Sequence, residues 1–127
     1  EAPMPTLRRC IAWGKMLRNA IDTYPDDLRI AVLGTGGLSH SIGEPTMGEI
    51  DEPFDRLCID LFTNADEDEL AERLEHELTT TGNGAEEVRD WVIAHAVAGS
   101  QGFNLIDYTP IPEVYIGCGM AEWLPAE

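Results

Sequence analysis

Polar and apolar positions along the chain alternate between two periods, and each period predicts its own kind of element. Leu7, Cys10, Ile11, Leu17, Ala20 and Ile21 recur near helical spacing, which predicts a helix capped by Thr6 and running to about Thr23. Tyr24-Pro25-Asp26-Asp27 closes it. Residues 28–33, Leu-Arg-Ile-Ala-Val-Leu, form a short apolar, β-branched run bounded by turn signals and read as a buried strand. Residues 34–53 form a long loop rich in Gly, Pro and Ser, of a length usually kept for function. Phe54, Leu57, Cys58, Leu61 and Phe62 predict a second helix with Asp51 near its start. A third is expected from Asp66 to Leu78, with acidic residues crowding its first turns, where the helix dipole favours them.

Thr79-Thr80-Thr81-Gly82-Asn83-Gly84 breaks the pattern. A further helix is expected from about Ala85 to Ala98, with Val88, Trp91, Val92 and His95 on one side and Gly99 as its stop. The stretch containing Pro110 and Pro112 reads as irregular. Val114-Tyr115-Ile116-Gly117-Cys118-Gly119-Met120 then reads as a glycine-bearing strand against which another backbone packs. No repeat or interdomain linker interrupts the 127 residues. The expected fold is α/β: one domain, residues 1–127, with a central mixed sheet flanked by helices.

Composition narrows the partners. Hydrophobic residues make up 43%, enough for a folded core, and 24 acidic against 8 basic residues give a formal net charge of -16. Such a surface repels phosphates and anionic headgroups, so neither nucleic acid nor a membrane is an expected partner. No apolar run reaches the roughly 18 to 20 residues of a membrane span. The first residues carry no charged-then-apolar export pattern, so a cytoplasmic protein is expected. Cys10, Cys58 and Cys118 are widely spaced, without a CxxC pair, and read as free thiols in a reducing compartment.

The chemistry concentrates in Gly34-Thr35-Gly36-Gly37-Leu38-Ser39-His40, where a glycine loop at a strand end presents a histidine. Glycines allow positive φ and close approach, and a histidine there can move protons near neutral pH. His76 lies between two glutamates and reads as a surface residue. His95 falls on the apolar side of its helix and reads as a packed histidine. The glycines lack the spacing and the following Lys of a phosphate loop, and Ser39 lacks the elbow of a serine nucleophile. Glu86 and Glu87 open the Trp91 helix and offer a carboxylate, favourable there as a dipole partner. His95 lies eight residues beyond Glu87, about 12 Å of helical rise, too far to share one ion.

Three segments together carry a resemblance: Gly34 to His40, Gly84-Ala85-Glu86-Glu87-Val88-Arg89-Asp90-Trp91, and Tyr115-Ile116-Gly117-Cys118-Gly119-Met120-Ala121-Glu122-Trp123. They resemble the class III extradiol dioxygenases, in particular the catalytic subunits of the protocatechuate 4,5-dioxygenase and gallate dioxygenase type. The likeness spans nearly the whole chain in order, from Pro5-Thr6-Leu7-Arg8-Arg9-Cys10 onward. It implies an enzyme that uses non-heme Fe(II) and O₂ to open a catecholic ring beside its hydroxyl pair. In that family two histidines and one glutamate hold the iron and leave positions open for substrate and oxygen. The glutamate maps onto Glu87, with Glu86 as the alternative register. The acid/base histidine maps onto His40, and substrate contacts are expected from Gly37, Ser39 and Tyr115.

The two histidine ligands of the family lie in an N-terminal half that nothing here matches. The resemblance therefore implies the C-terminal half of a larger α/β subunit, which would not assemble an iron site in isolation. It would pair with itself, with the other half or with an accessory subunit. After the proline matching Pro112 the family's protocatechuate enzymes carry small polar residues, whereas this chain has Glu113, Val114 and Tyr115, a change expected to alter the ring substituent accepted. The alternative expectation is a non-catalytic structural or interaction subunit of the same fold. A hydrolase or nucleotide module built on the glycine loop is a third and weaker one.

Overall fold

The computed structural model describes residues 3–126. Four helices and a two-stranded sheet follow in the order α1 (Leu7–Asp22), α2 (Glu52–Asn64), α3 (Glu67–Glu77), α4 (Val88–Val97), β1 (Phe103–Ile111) and β2 (Ile116–Trp123). A 3₁₀ turn, Asn83–Glu87, leads directly into α4. The molecule is a mixed helix-and-sheet domain, as its sequence predicts.

α1, α2 and α3 each start where a side chain satisfies a free amide, whereas α4 continues from the 3₁₀ turn without a side-chain cap. The Thr6 hydroxyl accepts from the Arg9 N–H at 3.2 Å, the Asp51 carboxylate from Phe54 at 3.0 Å, and the Asp66 carboxylate from Glu69 at 2.8 Å. Gly99 ends α4 with φ +87°, the left-handed conformation a helix stop requires. Nearly every side of α4 is buried, from Val88 and Trp91 to His95 and Val97, so it is the central helix. α1 crosses it at Gly14, where a Cβ would lie 2.4 Å from that of Ala96. Leu7, Cys10, Leu61, Leu70, Leu74 and Val92 fill the space between the helices.

The sheet differs from expectation in two places. Residues 103–111, read as irregular because of Pro110, form β1 and pair antiparallel with β2, from Phe103 opposite Trp123 to Ile111 opposite Ile116. Proline is tolerated because both strands of a two-stranded sheet are edges. Residues 28–33, read as a buried strand, have no ladder partner among the described residues and leave Leu33 83% exposed. A β-branched run favours a strand only where a neighbouring strand accepts its hydrogen bonds. The sheet is consequently two antiparallel strands packed on α2 and α4, without the mixed central arrangement that a strand at 28–33 implied.

Phe62, Trp91, Phe103 and Trp123 join the hairpin to the helices, with ring centroids 5.3–6.5 Å apart. His95 completes this cluster. Its Nδ1 accepts a 2.7 Å hydrogen bond from the Trp123 indole, and burial lowers its pKa to about 4. It is a packed neutral histidine, while His76 is exposed, on α3. Cys10 and Cys58 are buried thiols and Cys118 is half-buried; all three are free. Among the described residues no helix is long and apolar enough to cross a membrane.

Candidate functional site

The glycine loop lies between the start of α4 and the start of β2. Gly34 and Gly36 face α4: a Cβ on Gly34 would come within 2.9 Å of the Asp90 carbonyl, and one on Gly36 within 2.5 Å of Glu87 Oε2. Gly37 faces the other way, where a Cβ would overlap Ile116. The Trp91 indole donates to the Gly36 carbonyl at 3.2 Å. Because Glu87 and Trp91 are four residues apart, they share a face and grip the same glycine. Two backbone bonds tie the loop to β2: Leu38 N–H to the Gly117 carbonyl and Gly117 N–H to the Ser39 carbonyl, both 2.9 Å. The glycines of β2 serve the close approach expected of them.

This backbone delivers His40 to the head of α4. Its ring is almost wholly buried, and Nδ1 lies 3.1 Å from the Leu38 carbonyl. A carbonyl only accepts, so the proton is assigned to Nδ1 and Nε2 is left as the free nitrogen. Nε2 stands 3.6 Å from Glu87 Oε2. That is within ion-pair reach but longer than a hydrogen bond, so the carboxylate lies beside the ring without capping it. Gly84 closes the other side; its N–H bonds the His40 carbonyl at 3.0 Å and its Cα lies against the imidazole.

The two candidate glutamates face in different directions. Glu86 pairs with the Arg89 guanidinium, which also bonds Glu75 at 3.2 Å and the Pro5 carbonyl at 2.7 Å. Glu87 instead lies beside His40, with about half of its side chain exposed. Of the expected substrate contacts, Ser39 is 1% exposed and its hydroxyl is occupied: it donates to Asp55 at 2.9 Å and accepts from Asp51 N–H at 2.8 Å. Gly37 is covered by Ile116. Tyr115 sits at the hairpin turn with φ +63°, half exposed beside Gly48. A cleft of about 460 Å³ opens beside His40, walled by Ser41, Glu44, Thr46, Glu49 and Thr81. Glu87, Gly37 and Tyr115 do not line it.

Asp55 is the one prominent residue that sequence reasoning misses. It is fully buried on α2, and its position among Phe54, Cys58 and Phe62 is the available signal: a carboxylate in phase with an apolar face. Burial raises its pKa against the opposing pull of hydrogen bonds from Tyr108 and Ser39.

Among the described residues no three His, Cys, Asp or Glu side chains converge closely enough to hold a metal ion. One histidine and one carboxylate do not by themselves fit a three-ligand iron centre.

Fold and site together define a mixed α/β domain that holds a loop histidine against a carboxylate at a helix start. Residues 1–117 match the sequence profile described as the catalytic LigB subunit of aromatic ring-opening dioxygenase, and the chain belongs to that family. It is 40% identical over 95 residues to a gallate dioxygenase of Pseudomonas putida, a match covering 73% of this chain and 27% of that protein. It is 46% identical over 50 residues to a 2,3-dihydroxyphenylpropionate/2,3-dihydroxicinnamic acid 1,2-dioxygenase of Mycobacterium ulcerans, covering 39% and 15% respectively. The matched stretch is about a quarter of the length of the first relative and less of the second.

Proposed function

We propose that this chain is the part of an extradiol ring-cleaving dioxygenase that carries the acid/base histidine and one carboxylate ligand to Fe(II). The observation that carries the reading is the pairing of His40 Nε2 with Glu87 Oε2 at 3.6 Å, in a chain matched to the ring-opening family over residues 1–117. The substrate is a catecholic ring such as gallate, protocatechuate or a relative, with O₂ as co-substrate. Bound Fe(II) would hold the catechol and O₂ side by side for ring opening. Glu87 fits the ligand role better than Glu86, because the Glu86 carboxylate is held by buried Arg89. The half-exposed Glu87 side chain leaves room for donors from outside these residues, so the two histidine ligands are assigned there. The same openness suits association with another half, an accessory subunit or a second copy, in the cytoplasm.

His40 supplies the proton chemistry. With Nδ1 held by the Leu38 carbonyl, Nε2 takes a proton from a catechol hydroxyl and later returns it to the opened product. The imidazolium formed in between is stabilised by Glu87 beside it.

The test is Fe(II) content and O₂ uptake of the full encoded protein with catechol, protocatechuate and gallate, after anaerobic reconstitution. Uptake with a yellow ring-opened product is expected. His40→Phe should keep iron and lose most turnover, and Glu87→Ala should lose iron. Stoichiometric iron in Glu87→Ala would remove the ligand assignment. An iron-free, inactive protein would leave the non-catalytic reading in its place.

A further inference from the structure

A buried carboxylate on another element, α2, holds the residue that precedes His40. Asp55 Oδ1 accepts the Ser39 backbone N–H at 2.7 Å, and Oδ2 accepts the Ser39 hydroxyl at 2.9 Å and the Tyr108 hydroxyl at 2.6 Å. Gly117 fits against the same carboxylate, since a Cβ there would lie 1.8 Å from Oδ2. Asp55 thus joins α2, β1, β2 and the glycine loop at one point. A buried carboxylate without such partners would carry a heavy desolvation penalty, and three donors converge on this one.

We infer that Asp55 is a positioning residue for His40, its carboxylate clamping Ser39 so that the Leu38 carbonyl holds Nδ1 and Nε2 faces Glu87. The inference rests on the reading of His40 as the proton-handling residue. All three partners donate, so the clamp needs an acceptor-only group. An amide of the same shape would turn an N–H toward one of the hydroxyls. Were Ser39 to accept from such an amide with its second lone pair, its hydroxyl proton would lose the Asp55 acceptor it has here. The connection from Asp55 to the imidazole is short: Ser39 adjoins both Leu38, whose carbonyl meets Nδ1, and His40 itself.

The experiment compares Asp55→Asn and Tyr108→Phe with the parent, in the full encoded protein labelled with ¹⁵N-histidine. Long-range ¹H–¹⁵N correlation reads the His40 tautomer, with His40→Gln assigning the signals, and catechol turnover is measured alongside. Asp55→Asn should convert the Nδ1–H tautomer to a mixture and lower kcat about tenfold or more, with KM little changed. Tyr108→Phe, which removes one donor and keeps the carboxylate, should shift both in the same direction by less, and it decides the matter where Asp55→Asn does not fold. Leu74→Ala, a core truncation away from the loop, should leave the tautomer alone. A tautomer unchanged in Asp55→Asn, or in Tyr108→Phe when that is the variant that folds, would overturn the positioning role. A tautomer that shifts in a protein whose parent opens no catechol would uphold the clamp and reject the dioxygenase reading instead.

Discussion

The Cα of Gly84 lies directly against the imidazole of His40: a methyl group built there would come within 2.1 Å of Cδ2 and 2.3 Å of Nε2. The glycine in the turn that leads into α4 is therefore a requirement of the histidine it faces. Gly84→Ala should rotate the ring off the Leu38 carbonyl at a stability cost of about 1–3 kcal/mol. Misplacement on this scale costs catalysis more than binding, on the order of a hundredfold. Steady-state kinetics of the full encoded protein should show a large fall in kcat with iron content preserved.

Gly36 makes the corresponding demand at Glu87. Its φ of +93° and the 2.5 Å that would separate a Cβ there from Oε2 exclude a side chain on two independent grounds. Gly36→Ala should cost about 1–2 kcal/mol from the left-handed backbone alone, and should push the Glu87 carboxylate away. Metal analysis should find reduced Fe(II) occupancy, in contrast to Gly84→Ala. Equal iron loss in the two variants would contradict this division of labour.

His95 gives the fold an acid-sensitive point. Its folded pKa lies near 4 against 6.5 for a free histidine, because burial penalises the charged ring. The unfolded chain therefore takes up a proton first as pH falls. The associated stability is fully present above about pH 6.5 and is lost progressively down to pH 4, for a total of about 3 kcal/mol. Protonation of Nδ1 would also break the bond from Trp123. Denaturant unfolding at about pH 7 and pH 5 should show about 2 kcal/mol of this loss, and His95→Gln should show much less of it.

Arg89 is the buried cation that ties the start of α1 to α3 and to the turn before α4. It bonds the Pro5 carbonyl and Glu75 and pairs with Glu86. Arg89→Met should remove about 2–3 kcal/mol, since it leaves the Pro5 carbonyl unpaired and two carboxylates close together. Because Glu87 takes no part in this cluster, iron binding should survive in the folded fraction. Chemical denaturation and metal content, measured on the same preparation, check both statements.

Much of the site is legible in the sequence because local rules and tertiary demands agree there. Thr6, Asp51 and Asp66 are capping residues at the places where helices begin, and the loop glycines stand just ahead of its histidine. The choice between Glu86 and Glu87 is not legible. Adjacent helical residues differ in direction, and only the position of Arg89 on one side and His40 on the other separates them. Asp55 is hidden for a related reason: its donors come from residues 39 and 108, and no spacing within α2 reveals them.

The sequence by itself determined the helices and the caps of α1, α2 and α3, since each depends on neighbours within a turn. Only the tertiary structure decided which apolar runs become sheet. Residues 103–111 form a strand despite Pro110 because β2 lies opposite, whereas the more strand-like residues 28–33 find no ladder partner among the described residues. A strand is stabilised by hydrogen bonds to a distant segment, so its own composition cannot fix whether that segment is there.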